Sequence, residues 1–137
     1  MRRLLANLAT LSALAFCSLA AAQPAAPERR GITAVPLQEF DDATMPGKDF
    51  RVQRTTYEPG GQNPRHYHPS HVVFYVLEGS GIWQEDGKPP QTLKAGDTLH
   101  VRPGMIHAHW NASQTEKLVF LEFVIVDKGQ RSTVPMR

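Results

Sequence analysis

Cysteine is nearly absent from this sequence. Cys17 is the only one in 137 residues, so no disulfide within the chain can brace the fold. Charge is not in surplus either: Arg2 and Arg3 account for the whole formal net charge of +2, and everything after them is balanced. That balance, with no aromatic-basic stripe, removes the electrostatic footprint expected of a nucleic-acid binder or of a protein held on an acidic membrane. No stretch beyond residue 22 carries a helical period, and no internal repeat is visible. Long apolar runs are missing too, since the one at residues 4–16 is interrupted by Asn7, Thr10 and Ser12 and is too short to span a bilayer.

What that short run does fit is a cleavable leader. Arg2-Arg3 precedes it and Ala20-Ala21-Ala22 follows it, which predicts a signal peptide over 1–22 and a periplasmic or secreted product. Phe16 ahead of Cys17 disfavours a lipidated cysteine, and no Ser or Thr precedes the arginine pair as a twin-arginine signal requires. After processing, the chain has no membrane segment and its expected partner is a small molecule. Residues 23–48 read as a Pro- and Ala-rich arm with a first short strand at 32–37, residues 49–128 as one domain, and 129–137 as a tail.

Within the domain, short β-prone runs alternate with turn punctuation at Pro59-Gly60-Gly61, Glu78-Gly79, Asp86-Gly87, Ala95-Gly96-Asp97 and Pro103-Gly104. Asp86-Gly87 between two such runs predicts a hairpin, and strands recurring every eight to twelve residues predict an all-β sandwich or barrel.

The chemistry lies in the histidines. His66 and His68 are two apart, and on a strand their side chains leave the same face about 6.5 Å apart at the backbone, from where two imidazoles converge on one ion. His107 and His109 repeat the spacing just after a Pro-Gly turn. One such pair is as readily a surface or core feature; two in one small domain point to metal. Glu122 interrupts an apolar run at 118–126, where a buried carboxylate must be paired or functional. His100 reads as a surface histidine, and Asn111 as a loop cap.

Gly60, five residues, His66-Tyr67-His68 and then Val72-Val73-Phe74-Tyr75-Val76-Leu77-Glu78-Gly79 resembles the first motif of the cupin family. Gly96, five residues, Arg102-Pro103-Gly104, two residues, His107, three residues and Asn111 resembles the second, with Arg102 in place of the usual proline. The resemblance implies a single cupin (jelly-roll-like) β-barrel of quercetin-dioxygenase-like type, holding one divalent transition metal (Fe, Cu, Ni, Co, Mn or Zn) with His66, His68 and His107. The family's usual glutamate ligand is replaced by Val72 and Val73, and His71 beside the gap is the expected fourth ligand, given a bulge at the strand start. All-imidazole ligation favours these metals over magnesium or calcium. His109, on the face of His107, is the expected catalytic acid or base. The resemblance further implies a homodimer, with 32–37 as a segment that could swap between partners.

Three functions follow as expectations. One is a metal-dependent dioxygenase-like enzyme acting on a small enolic, phenolic or carboxylate-bearing molecule. The others are a non-oxidative isomerase or lyase using the metal as a Lewis acid, and a binding protein without turnover.

Overall fold

The computed structural model describes residues 28–136, so the expected leader and Cys17 lie outside the described residues. Nine strands follow in order: β1 (Arg30–Asp41), β2 (Lys48–Tyr67), β3 (Val72–Glu78), β4 (Ser80–Glu85), β5 (Gln91–Lys94), β6 (Thr98–Val101), β7 (His107–Asn111), β8 (Leu118–Asp127) and β9 (Val134–Pro135). All pairings are antiparallel and run β5-β4-β7-β2-β8-β3-β6, with β1 and β9 also on β2, so one sheet curls into a nearly closed barrel. The all-β expectation is met.

Period-two patterning decides what faces inward. In β3, Val72, Phe74 and Val76 are buried while Val73, Tyr75 and Leu77 are exposed. In β8, Leu118, Phe120, Val124 and Val126 form the inward row, with Glu122 in their midst. These side chains, with Tyr57, Trp83 and Val101, make the core; each fully buried one contributes roughly 1.5–3 kcal/mol.

β2 organises the molecule. Its first half pairs with β8 from Lys48 to Tyr57, and its second half pairs with β7 and β9. The Pro59-Gly60-Gly61 signal, read from sequence as a break between strands, is instead a bend that carries one long strand from one wall to the other. The hairpin expected at Asp86-Gly87 joins β4 to β5. The segment expected to be a tail, 129–137, contributes β9, which pairs beside His66.

Candidate metal centre

Four histidines point into one end of the barrel. In the second half of β2, Gly61 and Asn63 face inward, and a register shift between Asn63 and His66 changes the parity so that His66 and His68 face inward after them. On β7, alternation buries His107 and His109 and leaves Ala108 and Trp110 on the other face. Pairing sets His107 opposite His66 and His109 opposite Asn63. The spacing of two in each pair therefore has its effect by two routes, plain alternation on β7 and alternation restored after a bulge on β2.

The rings form one cluster. Their centroids lie 4.2 Å apart for His66 and His107, 5.1 Å for His68 and His107, and 5.2 Å for His66 with both His68 and His109. Trp83 stacks on His107 at 3.9 Å and on His109 at 5.3 Å, and Phe74 packs against His68 and His109, so the rings have little freedom to turn.

Hydrogen bonds fix which nitrogen faces the interior. The Nδ1–H groups of His66, His68 and His107 donate to the carbonyl oxygens of Pro64 (2.7 Å), Ser132 (2.6 Å) and Met105 (2.8 Å). A carbonyl can only accept, so each neutral ring must carry its lone pair on Nε2. Among the described residues the Nε2 atoms of His68 and His107 are buried without a partner, and that of His66 meets only the Asn63 amide at 3.3 Å. A buried acceptor left unpaired costs about 1–3 kcal/mol, a cost that a bound cation removes. His109 differs, because its Nδ1 meets the Tyr57 hydroxyl at 3.1 Å, a partner that can donate or accept.

Burial keeps the cluster neutral. Desolvation pushes His107 down to about 3 and His66 to about 4, lowers His68, and holds His109 well below its ordinary range, with neighbouring imidazoles adding to the effect at His66, His107 and His109. Burial likewise pushes the Tyr57 phenol well up, so it stays a neutral hydroxyl against His109. Neutral rings with inward lone pairs are what an ion such as zinc, copper or ferrous iron requires.

Two geometric criteria overlap in His66 and His107 and differ in the third member. Proximity selects His109, since one nitrogen from each of His66, His107 and His109 lies within 4.8 Å of the others. Tautomer and the unpaired Nε2 select His68. The hydrogen-bond criterion carries more weight for ligation, because rings can shift by fractions of an ångström around an ion while the fixed Nδ1–H determines which atom can donate a lone pair.

His71 does not join the cluster. It precedes β3 on the odd-numbered, outward parity, and the inward position next to it is filled by Val72, so the expected fourth-ligand role is corrected. The bulge imagined after His68 sits before His66 instead. His71 is exposed, its Nδ1 2.9 Å from Nε2 of His100, with the two rings stacked.

Above the cluster opens a cleft of about 530 Å³, lined by His68, His109, Asn63, Glu122 and three arginines, Arg29, Arg51 and Arg131. Glu122 is paired as well as buried: Thr55 donates to it at 2.7 Å and Gln53 at 2.8 Å. Burial raises its pKa, and these two bonds oppose the rise. Sequence reasoning did not single out Tyr57, Asn63, Arg29 or Ser132. Tyr57 and Asn63 could have been found from period-two alternation along β2; Ser132 had no local signal, being brought to His68 by the return of the chain.

Comparison with known proteins agrees with the geometry. Oxalate oxidase 1 of Hordeum vulgare is 27% identical over 110 residues, which are 69% of this chain and 55% of that protein. The chain spans about half the length of the curated relatives it matches. Among solved structures, a cupin-like protein of Thermotoga maritima is 30% identical with a TM-score of 0.57, covering 68% of this chain and 67% of that one. A protein with a double-stranded β-helix domain from Klebsiella pneumoniae shares the fold at 21% identity and a TM-score of 0.62, covering 80% and 90%. The cupin domain family matches residues 53–126, more than half of the sequence and all four inward histidines, and the chain belongs to the cupin family.

Proposed function

We propose that the protein is a metal-dependent, dioxygenase-like enzyme acting on a small enolic or carboxylate-bearing molecule, with one divalent transition metal held by His66, His68 and His107 and completed by His109. The observation that carries this reading is the set of inward Nε2 lone pairs fixed by Nδ1–H bonds to Pro64, Ser132 and Met105, with His68 and His109 reaching the wall of an open cleft. Such a metal supplies Lewis acidity and, if redox-active, a route for dioxygen to react with the bound substrate. The chain's own residues do the rest. Trp83 and Phe74 exclude water from one side of the cluster. Tyr57, held neutral, can donate or accept a hydrogen bond at Nδ1 of His109 and so sets that ring's tautomer. With no carboxylate among the candidate ligands, the site is one negative charge short of a three-histidine, one-glutamate centre, which favours an anionic substrate. The likeness to oxalate oxidase, whose name states oxidation of a small dicarboxylate, supports the same class.

The test is elemental analysis of tag-free protein beside a His66→Ala/His107→Ala variant, followed by oxygen-uptake screening with small carboxylates and enols. Iron, copper, manganese, nickel or cobalt in the parent alone, with oxygen uptake, is the expected result. Zinc without oxygen uptake would replace the oxidative reading by Lewis-acid chemistry or binding, and equal emptiness of two folded proteins would overturn the metal centre. Export after Ala22 belongs to the same proposal; a mature N-terminus at Gln23 in the periplasmic fraction is expected, and an intact leader on cytoplasmic protein would refute it.

A further inference from the structure

The start of β1 is placed by a close contact between two glycines. Gly61 is buried in the β2 bend, and a Cβ there would stand 2.7 Å from the Gly31 carbonyl oxygen and 2.9 Å from that of Glu58; a Cβ on Gly31 would stand 3.2 Å from Gly61 Cα. No side chain fits between them, so the backbones meet directly. The pairing shows the consequence: Ile32 lies opposite Tyr57 but Arg30 lies opposite Gln62, so the chain steps over residues 58–61 onto the half of β2 that bears the metal cluster. Arg29, one residue further, is thereby carried to the Asn63 side, where both line the cleft above His68 and His109.

The three arginines of that cleft are not equivalent. Arg51 is bonded to Glu39, Asp49 and the Gln130 carbonyl. Among the described residues Arg29 and Arg131 make no ion pair, and of these two it is Arg29 that the β1–β2 pairing holds on the side of Asn63, whose amide meets His66. Arg29 is therefore a cation without a carboxylate partner among the described residues, sharing the cleft with His68 and His109.

We propose that Arg29, delivered over the cleft by the Gly31–Gly61 contact, is the specificity-determining residue that captures a carboxylate of the substrate, leaving the molecule's second oxygen donor directed at the histidines. This rests on the metal-centre reading and narrows it to small acids with two oxygen functions, such as dicarboxylates and 2-oxo or 2-hydroxy acids. A guanidinium holds a carboxylate through two parallel N–H bonds, which also fixes its orientation.

The experiment uses the mature protein loaded with cobalt, whose visible spectrum reports on a molecule reaching the metal, with malonate as probe and malonamide as the uncharged control. Malonate affinity and cobalt content are measured for the parent, Arg29→Ala, Arg29→Lys, Gly61→Ala and Arg131→Ala. Expected is a tenfold or greater loss of malonate affinity in Arg29→Ala at unchanged cobalt content, partial recovery in Arg29→Lys, and a loss in Gly61→Ala like that in Arg29→Ala. Malonamide binding should change less than twofold in every variant, and Arg131→Ala should lose less malonate affinity than Arg29→Ala. Malonate binding in Arg29→Ala within twofold of the parent, or none in the cobalt-loaded parent, would overturn the assignment of Arg29. Failure of the parent to hold cobalt would instead overturn the metal centre beneath it.

Discussion

His66 and His107 face each other across β2 and β7, 4.2 Å apart at their ring centroids, and each commits its Nδ1–H to the carbonyl two residues earlier in the chain, Pro64 and Met105. The same local device used twice aims both Nε2 atoms inward. Either residue changed to alanine should abolish stoichiometric metal, whereas His71→Ala, which alters only the exposed pair with His100, should leave metal content unchanged. Comparing His68→Ala with His109→Ala separates the two criteria for the third ligand. The fixed tautomer of His68 predicts the larger loss there, ten- to hundredfold in affinity, read by competition with a chromophoric chelator. Metal loss in His71→Ala would reinstate it as a ligand.

Acid should unfold the metal-free protein early. In the folded state His66 titrates near 4 and His107 near 3, far below the ordinary 6.5, because burial opposes their charging. The unfolded chain therefore binds more protons below pH 6.5, and stability falls as pH drops from there toward 3–4, by on the order of 3 kcal/mol for each fully titrated group. Glu122, raised by burial, has the opposite sign and offsets part of the loss as it protonates. Denaturant midpoints between pH 7.5 and 4.5 measure the slope, which the His66→Gln/His107→Gln variant should flatten. A slope equally steep in that variant would place the proton uptake elsewhere.

The β-barrel and the four inward histidines were legible in the sequence because alternation and turn residues are local. His107 and His109 needed only a strand of five residues. His71 was misjudged because parity depends on where a bulge falls: placed between Asn63 and His66 it turns His66 and His68 inward, and no residue in 64–65 announces that the shift comes there rather than after His68. Ser132 and Arg29 were illegible for a different reason. Each reaches the site by a path across the fold, one through the return of the chain after β8 and the other over the Gly31–Gly61 contact, and neither path leaves a periodic trace.

Gly79 should tolerate no side chain. It joins β3 to β4 with φ at 75°, where L-residues are strained, and a Cβ would overlap the Lys117 carbonyl oxygen. Both effects act in the folded state, so Gly79→Ala should cost about 3 kcal/mol or more, while Gly87→Ala, with a similar φ of 75° but open space around it, should cost about 1 kcal/mol. Urea unfolding of the two variants gives the difference, and equal costs would show that backbone strain alone decides at both positions.

Asn111 ties the bend of β2 to the loop after β7. Its amide nitrogen donates toward the carbonyls of Glu116 (2.7 Å), Glu58 (3.1 Å) and Tyr57 (3.2 Å), and its oxygen accepts from the Ser113 amide (2.9 Å). With two hydrogens for three carbonyls, one bond is shared, and the side chain, only 1% exposed, has no unused capacity. Alanine there takes the donor from the buried Tyr57 carbonyl and from the half-buried Glu58 and Glu116 carbonyls, so Asn111→Ala should lose about 2–3 kcal/mol. Because Tyr57 also meets His109, the loss should extend to the site as a weaker hold on metal, whereas Ser113→Ala, at the rim of the same loop, should leave metal affinity intact. Parallel denaturation and metal titration of both variants check this; a destabilised Asn111→Ala with unchanged metal affinity would confine its role to the loop.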